Sequence, residues 1–175
     1  ALYTVRDKWQ ELFDRTRQVP PVFPSSIRRE ADLAAVTALV ELQDGSRARQ
    51  ILRGQLLSAD SSELDKRKLR KLLIESYLGD ALYSEASIAM QRYQHDYRSR
   101  EEDWLMLSAR VYMRLNDADS AISLLAPLNS PKAKLLRVYA RLQNDSMSAD
   151  QALQKTAAIS GSLGSESDRN QVRQV

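Results

Sequence analysis

The chain has 175 residues, 43% hydrophobic and 28% charged, with a formal charge of +3, five Gly, five Pro and no Cys. That apolar content suits one core-bearing domain or one stretch of a repeat array. It excludes collagen-like, disulfide-stapled and intrinsically disordered chains. Leu and Ala together number 45 against 15 Val plus Ile, and no window alternates apolar and polar residues. An all-α fold is expected, because Ala and Leu lose little on entering a helix while β-branched residues lose χ1 freedom.

No apolar run approaches the roughly 20 residues that span a bilayer. The chain opens Ala1-Leu2-Tyr3, without Met and without a signal-peptide pattern, so it reads as a processed product or an excised fragment. The lack of Cys removes thiolate catalysis and Cys-ligated zinc or iron–sulfur sites together. It fits a bacterial envelope protein and a cysteine-poor cytosolic one equally. The mild positive charge permits an acidic partner without requiring one.

Along the chain, residues 2–17 form a first amphipathic segment, with Leu2, Val5, Trp9, Leu12 and Phe13 at helical spacing. Pro20-Pro21-Val22-Phe23-Pro24 stops it, since proline lacks a donor and restricts its predecessor. Trp9, Phe13, Val22 and Phe23 are expected to cap the first face of the helices beyond Pro24. The alternative is an exposed docking patch of Trp9, Phe13 and Phe23.

After Pro24 there is no proline until Pro127, and the polar breaks between apolar segments repeat. Gln43-Asp44, Gly79-Asp80, Asn116-Asp117 and Asn144-Asp145 follow helical patterns, with Asp-to-Asp intervals of 36, 37 and 28. Gly or Asn tolerates the left-handed backbone that ends a helix, and Asp caps the next. A small residue four positions after each Asp (Ala48, Ser84, Ala121, Ala149) would let two helices approach closely. Ser62-x-x-Asp65 resembles a capping box, Ser99-x-x-Glu102 matches one, and Ser130-Pro131 places Pro at a first helical position. The spacing predicts helix pairs at 27–43 with 46–58, 62–78 with 81–97, 100–115 with 118–127, and 131–143 with 146–159. Inward stripes are Leu69, Leu72, Leu73 and Tyr77, then Leu105, Ala109, Tyr112 and Leu115. The organisation expected is a cap and linker at 1–24, repeats at 25–159, and a linker or further helix at 160–175.

A helix pair every ~35 residues is the signature of a solenoid, and the pattern resembles the tetratricopeptide repeat superfamily. Leu105 takes the large first position, Ala109 the small one and Tyr112 the aromatic one, followed by Ala121 and Leu125. Elsewhere Ala48 and Leu52 fit with Leu39 in the aromatic slot. Tyr77, Ala86 and Met90 fit if the turn after Gly79 carries two extra residues. The family Trp is missing from its slot, because Trp104 lies one residue before it. Met90-Gln-Arg-Tyr93-x-x-x-Tyr97 is also similar to irregular repeats of bacterial envelope assembly lipoproteins, which favours a periplasmic or cell-envelope location over the cytoplasm.

The resemblance implies a right-handed α-solenoid and a protein-interaction scaffold or assembly factor, with the first helix of each pair lining a concave groove. Its groove positions fall on Arg29, Leu33, Lys68, Lys71, Met106, Arg110, Met113 and Arg114, with Lys134 from the fourth pair. These are mostly basic or flexible apolar residues, so the implied partner is an acidic, partly apolar peptide segment. Family members that clamp a terminal carboxylate use Asn, where this chain has Thr37, Glu75 and Arg110.

An enzyme is not expected, nor a cofactor or metal. His95, the one histidine, sits beside Asp96 near a predicted helix end, where the helix dipole favours it without any catalytic role. No phosphate loop, nucleophile elbow or His pair at metal spacing occurs. Lys66-Arg67-Lys68-Leu69-Arg70-Lys71 is the densest charge feature. It reads as the solvated face of a helix, and alternatively as a grip on nucleic acid or an anionic surface. Asn144-Asp145-Ser146 matches a glycosylation sequon, meaningful only in a eukaryotic secretory context.

Overall fold

The computed structural model describes residues 2–20, 22–57 and 62–161. Pro21, the side chain of Leu2 and the expected tail beyond Gly161 lie outside the described residues. Among the described residues there are nine helices and no strand. They fall into two compact units, residues 1–98 and 99–175. The first holds α1 (Leu2–Thr16), α2 (Ser25–Glu41), α3 (Gly45–Leu57), α4 (Glu63–Gly79) and α5 (Tyr83–Tyr97). The second holds α6 (Glu102–Arg114), α7 (Ala118–Leu125), α8 (Pro131–Gln143) and α9 (Ala149–Gly161).

Within each unit consecutive helices pack on one another, and alternate helices touch as well, α2 on α4 and α6 on α8. Helix α1 packs on α2, where Trp9, Leu12 and Phe13 join a core that includes Ala35, Leu39, Ala48, Leu52 and Leu69. Phe13 is only 4% exposed, and such burial contributes about 1.5–3 kcal/mol. The guanidinium groups of Arg17 and Arg47 lie 5.8 and 4.7 Å from its ring centre. Phe13 therefore cannot belong to an exposed docking patch, and Trp9 is half-buried beside it. Of that trio Phe23 alone is exposed, at 42%.

Three turns share one backbone construction. Asp44 N–H donates to Leu39 O (2.8 Å) while Gln43 N–H donates to Val40 O (3.0 Å). The same pair of bonds joins Leu82 to Tyr77 and Ala81 to Leu78, then Asp117 to Tyr112 and Asn116 to Met113. This is the crossed double bond that closes a helix on a left-handed residue, here Gln43, Ala81 and Asn116, with φ of 61°, 57° and 60°. Gly79, the expected left-handed residue of the second turn, stays helical. In the fourth turn that conformation falls on Asp145, φ 57°, rather than on Asn144.

The positions nine residues after Leu39, Tyr77 and Tyr112 are Ala48, Ala86 and Ala121, all fully buried. Ser84 and Ala149, expected in the small-residue role, are exposed. Ala86 and Ala152 occupy it instead. In the second unit Ala121 meets Ala109, Ala133, Ala140, Leu125 and Leu136, and four alanines let α6, α7 and α8 approach closely. The inward stripe of α6 is also rotated from expectation. Trp104 is 2% exposed, Leu105 is half-buried and Leu115 is exposed.

The caps follow the sequence in part. Ser62 accepts from Asp65 N–H (3.1 Å), Asp117 from Ser120 N–H (3.1 Å) and Ser130 from Ala133 N–H (3.2 Å). The expected box at Ser99 does not form, because α6 starts two residues later than expected and Ser99 Oγ meets Glu101 N–H instead. A reciprocal box forms at Ser148-x-x-Gln151, with bonds of 3.3 and 3.2 Å.

Candidate functional site

In the first unit, Arg29 and Leu33 of α2 line a cleft of about 150 Å³ with Gln55 of α3 and Asp65 and Leu69 of α4. Gln55 Nε2 donates to Asp32 Oδ2 at 2.5 Å on the neighbouring turn. Burial pushes the Asp32 carboxyl above the usual carboxylate range, offset in part by Arg28. The Asp65 carboxyl is held below that range, first by the hydrogen bond from Ser62. One cation, Arg29, thus shares this cleft with two carboxylates, Glu30 and Asp65. Lys68 and Lys71 do not join Arg29 and Leu33 there.

The basic run of α4 is largely turned toward α5. Lys66 pairs with Glu63 at 3.2 Å. Arg67 and Arg70 lie 4.8 and 5.3 Å from the centre of the Tyr97 ring, and Lys71 lies 5.9 Å from that of Tyr93. Arg70 also pairs with Asp96, whose carboxyl is held low chiefly by that bond and secondarily by His95. Guanidinium groups over aromatic faces contribute ~0.5–1 kcal/mol each when exposed and more as they are desolvated, and these sites are half-buried. Of the five bases, Lys68 is the exposed one. Lys71, expected to be exposed, is half-buried.

A second polar tie joins α3 to the end of α4. Asp80, expected to cap α5, accepts instead from Gly45 N–H (3.2 Å) and from Arg49 Nη2 (2.7 Å). Arg49 Nη1 donates to Ser76 O (2.9 Å). Both charged side chains are mostly shielded from water, where charge-assisted bonds are strong.

In the second unit, Met106 and Met113 pack against the alanine-rich core and are half-buried, while Arg110 and Arg114 are exposed. Gln143 Nε2 donates to Met113 O (2.8 Å) and to Asn116 Oδ1 (3.1 Å). Asn144 of the sequon is engaged too, its amide donating to Asp119 at 2.8 Å.

Helices α8 and α9 enclose a cleft of about 270 Å³ that the sequence does not single out beyond Lys134. Arg137, Arg141 and Lys155 join Lys134 around it, and Val138, Met147 and Ile159 are among the apolar residues lining it. Lys134, Arg137 and Arg141 stand at i, i+3 and i+7 on α8, which is one helical face. That stripe is readable in the sequence, but the placement of Lys155 beside it depends on how α9 packs.

His95 is 89% exposed, with Nδ1 3.1 Å from Asp96 Oδ1. Among the described residues, His, Asp and Glu form no group able to hold a metal ion. No helix among them is long and apolar enough to cross a membrane. Comparison with family models, curated proteins and solved structures finds no significant match to this chain.

Proposed function

We propose that the helix pairs of each unit are tetratricopeptide-like turns of a right-handed α-solenoid, and that the protein is an interaction scaffold for a partner segment. The observation that carries this reading is the recurrence of one turn construction at Gln43-Asp44, Ala81-Leu82 and Asn116-Asp117. Each is followed at constant spacing by a buried alanine. Contacts between alternate helices support it, since stacked repeats bury a continuous core. The first-helix faces are the binding surfaces: Arg29, Leu33 and Lys68 in one unit, Arg110 and Arg114 in the other. Their chemistry favours an acidic partner segment. The nucleic-acid reading of residues 66–71 has less support, because Arg67, Arg70 and Lys71 are engaged with tyrosines of α5.

Tagged protein should capture a reproducible partner set from its native cells. Lys68→Glu with Arg114→Glu should deplete that set while leaving the circular dichroism spectrum unchanged. An undiminished set with the double variant would remove the first-helix faces as the binding surface.

A further inference from the structure

We infer that the α8–α9 cleft is a docking site for an acidic, partly apolar peptide segment of another protein. The inference deepens the scaffold reading by naming a surface apart from the first-helix faces of α2, α4 and α6, and the chemistry of what binds there. The charges come first. Lys134, Arg137, Arg141 and Lys155 surround one cleft. None of them forms an ion pair with a carboxylate among the described residues. This differs from α4, where four of the five bases of the run meet Glu63, Asp96 or tyrosine rings and Lys68 alone does not. Arg137 adds a second observation. Its Nη2 is fixed on Leu128 O at 2.5 Å, yet its Nε is buried with no hydrogen-bond partner. A buried donor without an acceptor costs about 1–3 kcal/mol; Nε is closed to solvent, so a carboxylate would supply the acceptor only after the guanidinium turns toward the cleft.

Geometry and lining narrow the occupant. Lys134 and Arg141 are seven residues apart on one helix, about 10 Å along its axis at ~1.5 Å per residue. One phosphate or one fatty-acid carboxylate cannot meet both ends. Two or three carboxylates along a peptide can, at i and i+7 of a helix or at i and i+2 or i+4 of an extended strand, which share a face. The lining between the charges is aliphatic, with Val138, Met147 and Ile159, and holds no aromatic ring on which a nucleobase would stack. The cleft is smaller than the ~300–1,000 Å³ of small-molecule sites, and suits inserted side chains better than a whole ligand.

The test is a fluorescence anisotropy titration with a labelled synthetic peptide that places Glu on either side of a Leu-x-x-Leu centre. Its Gln counterpart and a single-stranded oligonucleotide serve as competitors. Wild-type protein should bind the Glu peptide, and the Gln counterpart should compete at least roughly tenfold less well. Arg141→Glu with Lys155→Glu should weaken binding by a similar factor, and a Lys version of the peptide should bind that variant in its place. Lys155 is exposed and Arg141 half-buried, and neither side chain has a hydrogen-bond or ion-pair partner among the described residues, so melting curves should be near wild type; Arg137 is left intact because it holds Leu128. Ile159→Gln should also weaken binding, which a purely electrostatic encounter would not show. No binding, equal competition by the Gln peptide, or an unaffected double variant would overturn the inference. So would displacement of the peptide by the oligonucleotide at lower concentration than by unlabelled peptide. None of these outcomes touches the capture experiment at Lys68 and Arg114, so the two readings fail separately.

Discussion

Two glycines of α3 should respond to the same substitution with opposite signs. A Cβ built on Gly45 would lie 2.3 Å from the carbonyl oxygen of Ser76 and 2.8 Å from both Arg49 Nη1 and Asp80 Oδ1. The two side chains could move aside, but Ser76 O is backbone inside α4 and cannot. Relief requires α3 to back away from α4, which lengthens the Gly45–Asp80 bond and strains the Arg49 bonds to Ser76 and Asp80. Overpacking of this kind costs about 1–3 kcal/mol, and weakening charge-assisted bonds adds about 1.5–3 kcal/mol. The gain in helix propensity from Gly to Ala returns only about 0.5–1 kcal/mol. A net loss of about 2–4 kcal/mol is expected for Gly45→Ala. At Gly54 a Cβ meets nothing within 4 Å, so Gly54→Ala should stabilise by about 0.5–1 kcal/mol. Urea denaturation followed by far-ultraviolet circular dichroism measures both. If Gly45→Ala were as stable as wild type, the close approach of α3 to Ser76 would be wrong, and with it the reason for Gly at that position.

Ala121→Leu should cost about 1–3 kcal/mol, since the alanine is fully buried among Ala109, Ala133 and Ala140; an unchanged melting temperature would place α7 in another register. Asp32→Asn should raise the melting temperature near neutral pH. The folded-state pKa of Asp32 is raised by burial, so its ionisation favours the unfolded chain, and wild type loses stability as pH rises through that pKa. The advantage of the variant should vanish at about pH 3, where wild-type Asp32 is protonated in both states; an equal advantage at both pH values would assign it to something other than charge.

Much of the helix map is legible because its signals are local. Apolar spacing, proline placement and the Asp and Ser caps locate nearly every helix within two or three residues of its observed ends. What the sequence conceals depends on tertiary packing. At the second turn glycine's freedom points to Gly79. Yet Tyr77 is the residue that aligns with Leu39 and Tyr112, and Ala86 must face inward, so the left-handed residue falls two positions later on Ala81. An alanine there costs roughly 1 kcal/mol, a sign that core register outweighs local preference. Asp80 misleads for a similar reason, since its partner Arg49 is 31 residues away in the chain. The box at Ser148 and Gln151 is a local signal too, but Asn144-Asp145 draws the expected helix start too early and hides it.

The basic residues of the two units do different work, and the physical distinction is who faces them. On α4 a dense run is answered by Glu63, Asp96, Tyr93 and Tyr97, so its charge goes into joining α4 to α5. A dense run therefore overstates the field it projects. On α8 the bases facing the cleft are sparse in sequence, three in the eight residues 134–141, but folding adds Lys155 and supplies no carboxylate from the described residues. With a formal charge of only +3 over the chain, long-range attraction is weak, and screening confines it to about 8 Å at physiological ionic strength. On the docking proposed above, an acidic partner would be selected less by the charge of the whole protein than by local matching. The run that looks most basic in the sequence is thus the poorer place to seek it, and the stripe opposite α9 the better one.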